Sequence, residues 1–264
     1  MLFVENSIII KLTYYAKEAM LVAEVYTVLS GKGGTGKTSL CAGIATALAL
    51  NNQRVLCIDC DVGLRNLDIA LGLTEWSSIS FLEVCRGDYA LEYATVHPVY
   101  PTLRFLTAPV NCSADSIDRF AFARMLDQAR EMFDYIFLDA PAGIEAGFRL
   151  TADVADRAIL VSNGDPASIR DAGRSAEELE RMGTPTRLVV NRLRKKMFRA
   201  LNMTVDDIMD SAGLPLLGIV PEDENVVLAA AFGQPLLGYA DKGAASACRR
   251  IAQRLQGKRT KIRI

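Results

Sequence analysis

The chain has 264 residues, half of them hydrophobic, and a formal charge of −1, so it is long enough to bury a large core in one α/β domain and has no global signature of a nucleic-acid binder. No apolar run approaches the length of a bilayer span, and the opening MLFVENSIII is broken by Glu5 and Asn6 too early for a secretory segment, so the protein is expected to stay in the cytoplasm. Six cysteines, at 41, 57, 60, 85, 112 and 248, are scattered through apolar segments of a chain too long to need a disulfide scaffold, which predicts reduced, buried thiols.

Residues 1–19 precede the first core strand and read equally as a flexible arm, a small extra element or an upstream start ahead of Met20. Leu21 to Leu29 is an apolar, β-branched run that predicts a buried strand, and Leu40, Ile44, Ala47 and Leu48 follow at helical spacing. Further buried strands are predicted at 54–59, 134–139, 157–162, 186–191 and 216–220, with helical patterns between them, for instance at 115–132 and 166–182. Cys57 and Cys60 form a C-x-x-C on a predicted strand, where residues three apart point to opposite faces and cannot easily share a metal. His97, beside Pro98, reads as a loop residue rather than a ligand. A last helix over 242–256 turns Ile251 and Leu255 inward and its arginines outward, followed by a basic tail at 257–264. Alternating strand and helix implies a mostly parallel sheet covered by helices on both faces, with any ligand beyond the carboxyl ends of the strands.

Between the first strand and helix lies Gly31-Lys32-Gly33-Gly34-Thr35-Gly36-Lys37-Thr38, which satisfies the phosphate-loop template G-x-x-x-x-G-K-[ST]. Lys37 stands where that template needs an ammonium for the β- and γ-phosphates, and Thr38 where it needs a hydroxyl for magnesium. The glycines let backbone N–H groups close around phosphate, and the helix starting near Gly36 aims its positive end at it. Gly31, Gly33 and Gly36 also spell G-x-G-x-x-G, with Asp59 at about the spacing of a ribose ligand in a dinucleotide site. A dinucleotide loop has no use for Lys37-Thr38 after its third glycine, nor for Lys32 between the first two, so the nucleoside-triphosphate reading is preferred. The expected fold class is therefore α/β, a P-loop NTPase.

Asp59 and Asp61 are read as ending the second strand on one face, and Asp139 ends another before Ala140-Pro141-Ala142-Gly143. Three carboxylates on the phosphate side suit a magnesium–triphosphate site, holding the metal's waters and orienting the attacking water.

These residues resemble a known family. The loop with Lys32 inside it resembles the deviant Walker A of the MinD and ParA group of dimerising ATPases, and Asp61-Val62-Gly63-Leu64-Arg65-Asn66-Leu67-Asp68 is similar to the first switch of the MinD branch. Asp139-Ala140-Pro141-Ala142-Gly143-Ile144-Glu145 resembles its second switch, while Asn191-Arg192 and Gly218-Ile219-Val220-Pro221-Glu222-Asp223 resemble its adenine-side segments. The resemblance runs from about residue 21 to about 256, and an ATPase domain is expected over 20–256.

What it implies is an ATP- and Mg2+-dependent homodimer. Lys32 would be the signature lysine that reaches the partner's nucleotide, as an arginine finger does elsewhere. Lys37 and the loop through Ser39 would hold the phosphates. Thr38 and Asp59 would hold magnesium with Asp139 supporting its water shell, and Asp61 would orient the hydrolytic water. Arg65, Asn66, Pro141 and Gly143 would belong to the switches, Asn191 would read the adenine edge, and Pro221 would pack the base. Turnover would be slow and partner-stimulated. The implied partners are a division inhibitor of the MinC kind, a stimulator such as MinE or a topological factor that replaces it, and the inner membrane surface.

The tail departs from the pattern: Arg249 to Arg263 carries seven basic residues and no acid, but neither Phe nor Trp to insert into lipid. A rival, the flagellar-number regulator FlhG, shares loop and switches and carries an N-terminal extension. A ParA-type partitioning ATPase would need a basic DNA-binding surface, which the tail alone offers. The nitrogenase iron protein needs a cysteine in the second switch, which this chain lacks, and Asp61 argues against a non-hydrolysing scaffold.

Overall fold

A computed structural model of the chain describes residues 23–110 and 112–262. The expectations for residues 1–19, and for the first residues of the opening strand, lie outside the described residues. The strands are β1 (Glu24–Leu29), β2 (Val55–Asp59), β3 (Thr95–Val96), β4 (Leu103–Leu106), β5 (Tyr135–Asp139), β6 (Arg157–Asn163), β7 (Thr186–Leu193) and β8 (Leu216–Pro221). They form one sheet in the order β3-β4-β2-β5-β1-β6-β7-β8, parallel throughout except for β3, which runs antiparallel at one edge. The principal helices are α1 (Lys37–Ala49), α2 (Leu67–Leu71), α3 (Phe81–Arg86), α4 (Arg119–Met132), α5 (Ala146–Val154), α6 (Pro166–Arg181), α7 (Lys195–Ala200), α8 (Val205–Ala212), α9 (Asn225–Ala231), α10 (Leu236–Tyr239) and α11 (Gly243–Leu255).

The central strands are apolar on both faces because helices cover both. Val28, Cys57, Phe137 and Val189 pack under α1 and α11, while Val25, Leu56, Ile58 and Ile136 pack against α3 and α4. Leu29 and Leu160 meet α5 and α6, and Leu188 and Val190 meet α7 and α8. Helix α1 is apolar nearly all round because it lies between the sheet and α11 and is buried from Leu40 to Ala49. Gly43 makes that approach close: a Cβ there would lie 2.7 Å from Cys248 Sγ.

Local signals set the helix starts. Asp165 caps α6 by accepting the Ser168 N–H at 3.0 Å, with Pro166 at the first helical position, and Ser80 with Glu83 forms a capping box on α3. The helical pattern read over 115–132 divides in two, because Asp118 accepts the N–H groups of Phe120 and Ala121 and starts α4 afresh after a separate 3-10 turn at Ala114–Ser116. The short strands β3 and β4 have no counterpart in the sequence reading, since Leu103-Arg104-Phe105-Leu106 is too brief to show a period.

Cys57 and Cys60 sit in different cores on opposite faces of the sheet, as their spacing requires. All six cysteines are free, but Cys85 and Cys112 are half-buried rather than buried, since each lies at the margin of a core rather than in a central strand. His97 is a buried structural residue of the β3–β4 connection: Nδ1 accepts the N–H groups of Val99 and Tyr100, leaving Nε2–H to donate to the Leu71 carbonyl at 2.9 Å. Helix α11 buries Ile251 and packs Leu255 against the same core, matching the inward face read from sequence.

Gly43→Ala should destabilise the chain by about 1–3 kcal/mol through overpacking against Cys248. Cys248→Ala in the same chain should recover most of that loss in urea unfolding, and purely additive effects would contradict the close approach.

Candidate nucleotide site

The phosphate loop leaves the end of β1 and enters α1 through Gly36, which caps the helix with a left-handed backbone, φ 83°. That conformation is one a side chain resists, and a Cβ on Gly36 would also stand 2.5 Å from Asn191 Nδ2. Gly31 is required for a second reason, since a Cβ there would meet the Asp171 carbonyl oxygen at 2.6 Å. Ser30 stiffens the loop from within, donating from Oγ to the Lys32 carbonyl at 2.9 Å, and its own carbonyl accepts the Gly143 N–H at 3.0 Å. The segment 139–145 is thereby tied to the loop. Gly33 and Gly34 face open space, and Thr38 and Ser39 are half-buried in the first turn of α1.

The parallel register brings the acids together. Asp59 at the end of β2 lies opposite Asp139 at the end of β5, both buried. Asp61 is not on the strand as read from sequence, because β2 ends at Asp59 and the chain turns there. The turn is held by Asp59 itself, whose Oδ1 accepts the Asp61 N–H at 2.9 Å and whose Oδ2 accepts the Leu67 N–H at 3.1 Å. Strand alternation therefore does not carry the pairing of Asp59 with Asp61; a carboxylate clamp does.

Burial pushes the Asp59 carboxyl up to about 6, although the N–H groups of Leu67 and Asp61 oppose the shift. Burial likewise pushes Asp139 up to about 7, against the pull of the Lys37 ammonium and with the added push of Asp59. Lys37 is nearly buried, its Nζ 3.7 Å from Asp61 Oδ2. Asp139 Oδ1 and Thr35 Oγ1 are buried without a hydrogen-bond partner. An orphaned carboxylate oxygen among crowded acids, beside the Thr38 hydroxyl, fits a hard divalent cation with its water shell, so the donor set suits Mg2+.

Lys32 lies at the exposed rim of the loop, its Nζ 3.5 Å from Asp165 Oδ1. Asp165 also accepts from the Ser168 N–H and hydroxyl, and these bonds with Lys32 hold its carboxyl below the usual range against the effect of burial. Sequence reading missed Asp165 as a partner of Lys32, because Asp165-Pro166 is a complete helix-start signal in itself. In the segment 61–68, expected to be the first switch, Arg65 adopts φ 46° and its Nε donates to Thr107 Oγ1 at 3.0 Å, while Asn66 precedes α2. In the segment 139–145, expected to be the second, Pro141 fills the space over Gly147, where a Cβ would lie 2.2 Å from its Cγ.

Beyond the loop opens a cavity of about 750 Å3 lined by Gly36, Leu40, Asn191, Val220, Pro221 and Val226, with Arg192, Arg194 and Glu222 at its rim. The volume and apolar floor suit a nucleoside base. Pro221 lines it, and the buried amide of Asn191 is turned to the loop, Nδ2 donating to the Thr35 carbonyl at 2.8 Å.

Residues 26–236 match the model of the CobQ/CobB/MinD/ParA nucleotide binding domain. The septum site-determining protein MinD of Synechocystis is 37% identical over 241 residues, covering 88% of this chain and 89% of that protein. The MinC:MinD cell division protein complex of Aquifex aeolicus contains a chain 35% identical with a TM-score of 0.84, over 92% of this chain and 99% of that one. MinD of Pyrococcus horikoshii, solved with Mg-ADP, is 25% identical with a TM-score of 0.78, over 88% of this chain and 96% of that one. With a phosphate loop carrying Lys32, the strand-end pair Asp59 and Asp139, and Asp61 in the turn beside them, this chain belongs to the MinD family of the CobQ/CobB/MinD/ParA nucleotide-binding proteins, the MinD-like cell-division ATPases that use ATP and Mg2+.

Proposed function

We propose that this protein hydrolyses ATP slowly to ADP and phosphate as a timer for placing the division site, alternating between a monomer and an ATP-bound homodimer in which Lys32 of each protomer contacts the other's nucleotide. The observation that carries the reading is the placement of Lys32: a second ammonium on the loop rim, half-exposed and held by a single-point contact to Asp165. An exposed pair of that kind contributes about 0–1 kcal/mol, so a partner's phosphates can draw the lysine away.

Within one protomer, Lys37 leaves Asp61 for the β- and γ-phosphates, and the loop N–H groups and the start of α1 take the remaining negative charge. Bound magnesium would neutralise developing charge on the phosphates, held by Thr38 and, through water, by Asp59 and Asp139. Asp61, released from Lys37, orients the attacking water and accepts hydrogen bonds from it. Lys32 of the partner subunit stabilises the charge on the transferring phosphoryl group. Loss of the γ-phosphate removes the attraction on both lysines and loosens the switch around Arg65 and Asn66 and the switch around Pro141 and Gly143.

The likeness to a chain solved in a MinC:MinD complex supports a MinC-like partner, and a MinE-like protein or topological factor would stimulate turnover. No helix among the described residues is long and apolar enough to cross a membrane. The basic residues from Arg249 to Arg263 favour weak, reversible attachment to an anionic surface, about 1 kcal/mol per charge near the headgroups, doubled in a dimer. Curated relatives over most of the chain are septum-site proteins at 33–39% identity, whereas likeness to a plasmid partition protein at 17% identity concerns the fold alone. A division role is therefore favoured over flagellar counting or DNA partition.

Light scattering should give a monomer with ADP, a dimer with ATP, and a monomer with ATP for Lys32→Ala, with stimulated turnover of that variant down by roughly a thousandfold. A dimer indifferent to nucleotide and to Lys32 would end this reading.

Asp59 and Asp139 also predict a pH effect on the metal-free protein. Their folded values of about 6 and about 7 stand above the unfolded value of 3.8, so the native state favours their protonated forms. The resulting stability is complete below about pH 4 and is lost as pH rises through about 6 to 7, at about 1.4 kcal/mol for each tenfold difference in proton affinity between the folded and unfolded chain. Urea unfolding in EDTA should show lower stability at pH 8 than at pH 5, and Asp139→Asn should remove most of that drop. An undiminished drop in the variant would refute the assignment to Asp139.

A further inference from the structure

At the end of β7 the register against β8 shifts between Val190 and Leu193, which leaves Asn191 and Arg192 without partners in β8. Arg192 there adopts φ 52°, a left-handed backbone that side chains rarely take. Bulges of this kind re-aim side chains, and here both swing to the phosphate loop. Asn191 Nδ2 donates to the Thr35 carbonyl at 2.8 Å and Arg192 Nη1 to the Gly34 carbonyl at 3.1 Å. Arg192 continues through Nη2 to Glu222 Oε1 at 3.2 Å, and Glu222 returns its own N–H to the Leu193 carbonyl at 3.2 Å. Asn191, Arg192 and Glu222 all line the base cavity.

A trans peptide points its C=O and N–H in opposite directions. Fixing the carbonyls of Gly34 and Thr35 toward β7 therefore turns the N–H groups of Thr35 and Gly36 the other way, to the side where phosphate is bound. We propose that Asn191 and Arg192 are positioning residues that couple the base cavity to the phosphate loop, so that a base seated against them sets the loop amides for the phosphates. The inference rests on the reading of this cavity as the base site. Arg194 supplies an internal control: it donates to Glu222 Oε1 at 2.7 Å but has no hydrogen bond to the loop among the described residues.

Coupling of this kind is reciprocal and can be read with two separate probes, adenosine for the cavity and magnesium tripolyphosphate for the loop. In calorimetric titrations of the full chain, saturating adenosine should tighten tripolyphosphate binding about fivefold or more. Arg192→Ala should bring that factor to about twofold or less, measured against the variant's own affinity for tripolyphosphate alone, and Arg194→Ala should keep the full ratio whatever its own affinity for adenosine. Arg192 is half-exposed, so its variant tests the link even if Asn191→Ala unfolds the protein. Both probes binding independently in the wild type, or coupling that survives Arg192→Ala, would overturn the link alone. Failure of adenosine to bind the wild type would overturn the base-site reading and the link with it.

Discussion

Like charge has to be gathered at one edge of the sheet before this molecule can bind a magnesium triphosphate, and the folded chain must tolerate that crowding when the site is empty. Asp59 and Asp139 face each other on adjacent strands, roughly 5 Å apart by strand spacing, with Asp61 beside them and Lys37 as their ammonium counterweight. Burial is the main reason their carboxyls are pushed up, to about 6 for Asp59 and about 7 for Asp139, and the Asp59 charge adds to the push on Asp139. Part of the strain is met by N–H groups on Asp59 and part is left open at Asp139 Oδ1.

The same logic governs the lysines. Lys37 rests on Asp61 and Lys32 on Asp165, so each ammonium is paired with an acid that a phosphate can replace. In the proposed cycle, substituting phosphate for carboxylate would free Asp61 to face water and Lys32 to leave its own subunit. Meanwhile the loop is braced from several sides, by the Gly143 N–H on Ser30, by the Asp171 backbone against Gly31, and by Asn191 and Arg192 on its carbonyls. A braced loop with replaceable counter-charges needs little reorganisation when nucleotide arrives.

Much of this is legible in the amino-acid sequence because the relevant signals are local. The run Leu21 to Leu29, the glycines and Lys37-Thr38 are contiguous, and the central parallel strands announce themselves as apolar runs, two of which, β2 and β5, end in Asp. β4, with Arg104 inside its four residues, and the single-turn helix α2 leave too short a record to show a period. Contacts between distant segments are invisible for a different reason. Nothing in Asp165-Pro166 beyond a helix start predicts its contact with Lys32, and nothing in Asn191-Arg192 predicts a bulge that turns both side chains to residues more than 150 positions earlier. The position of Asp61 shows the converse: two-residue spacing suggested a shared strand face, whereas a backbone-to-carboxylate hydrogen bond brings the pair together.

Lys32 is held to exchange Asp165 of its own chain for the nucleotide of a second copy. The exchange is tested most directly by a crystal structure of the Asp61→Ala protein, slowed in hydrolysis, with ATP and magnesium. A two-fold dimer is expected, with Lys32 Nζ about 3 Å from a phosphate oxygen of the partner's ATP, a charge-assisted hydrogen bond. Lys32 still seated against Asp165 of its own chain, with ATP bound in both subunits, would contradict it.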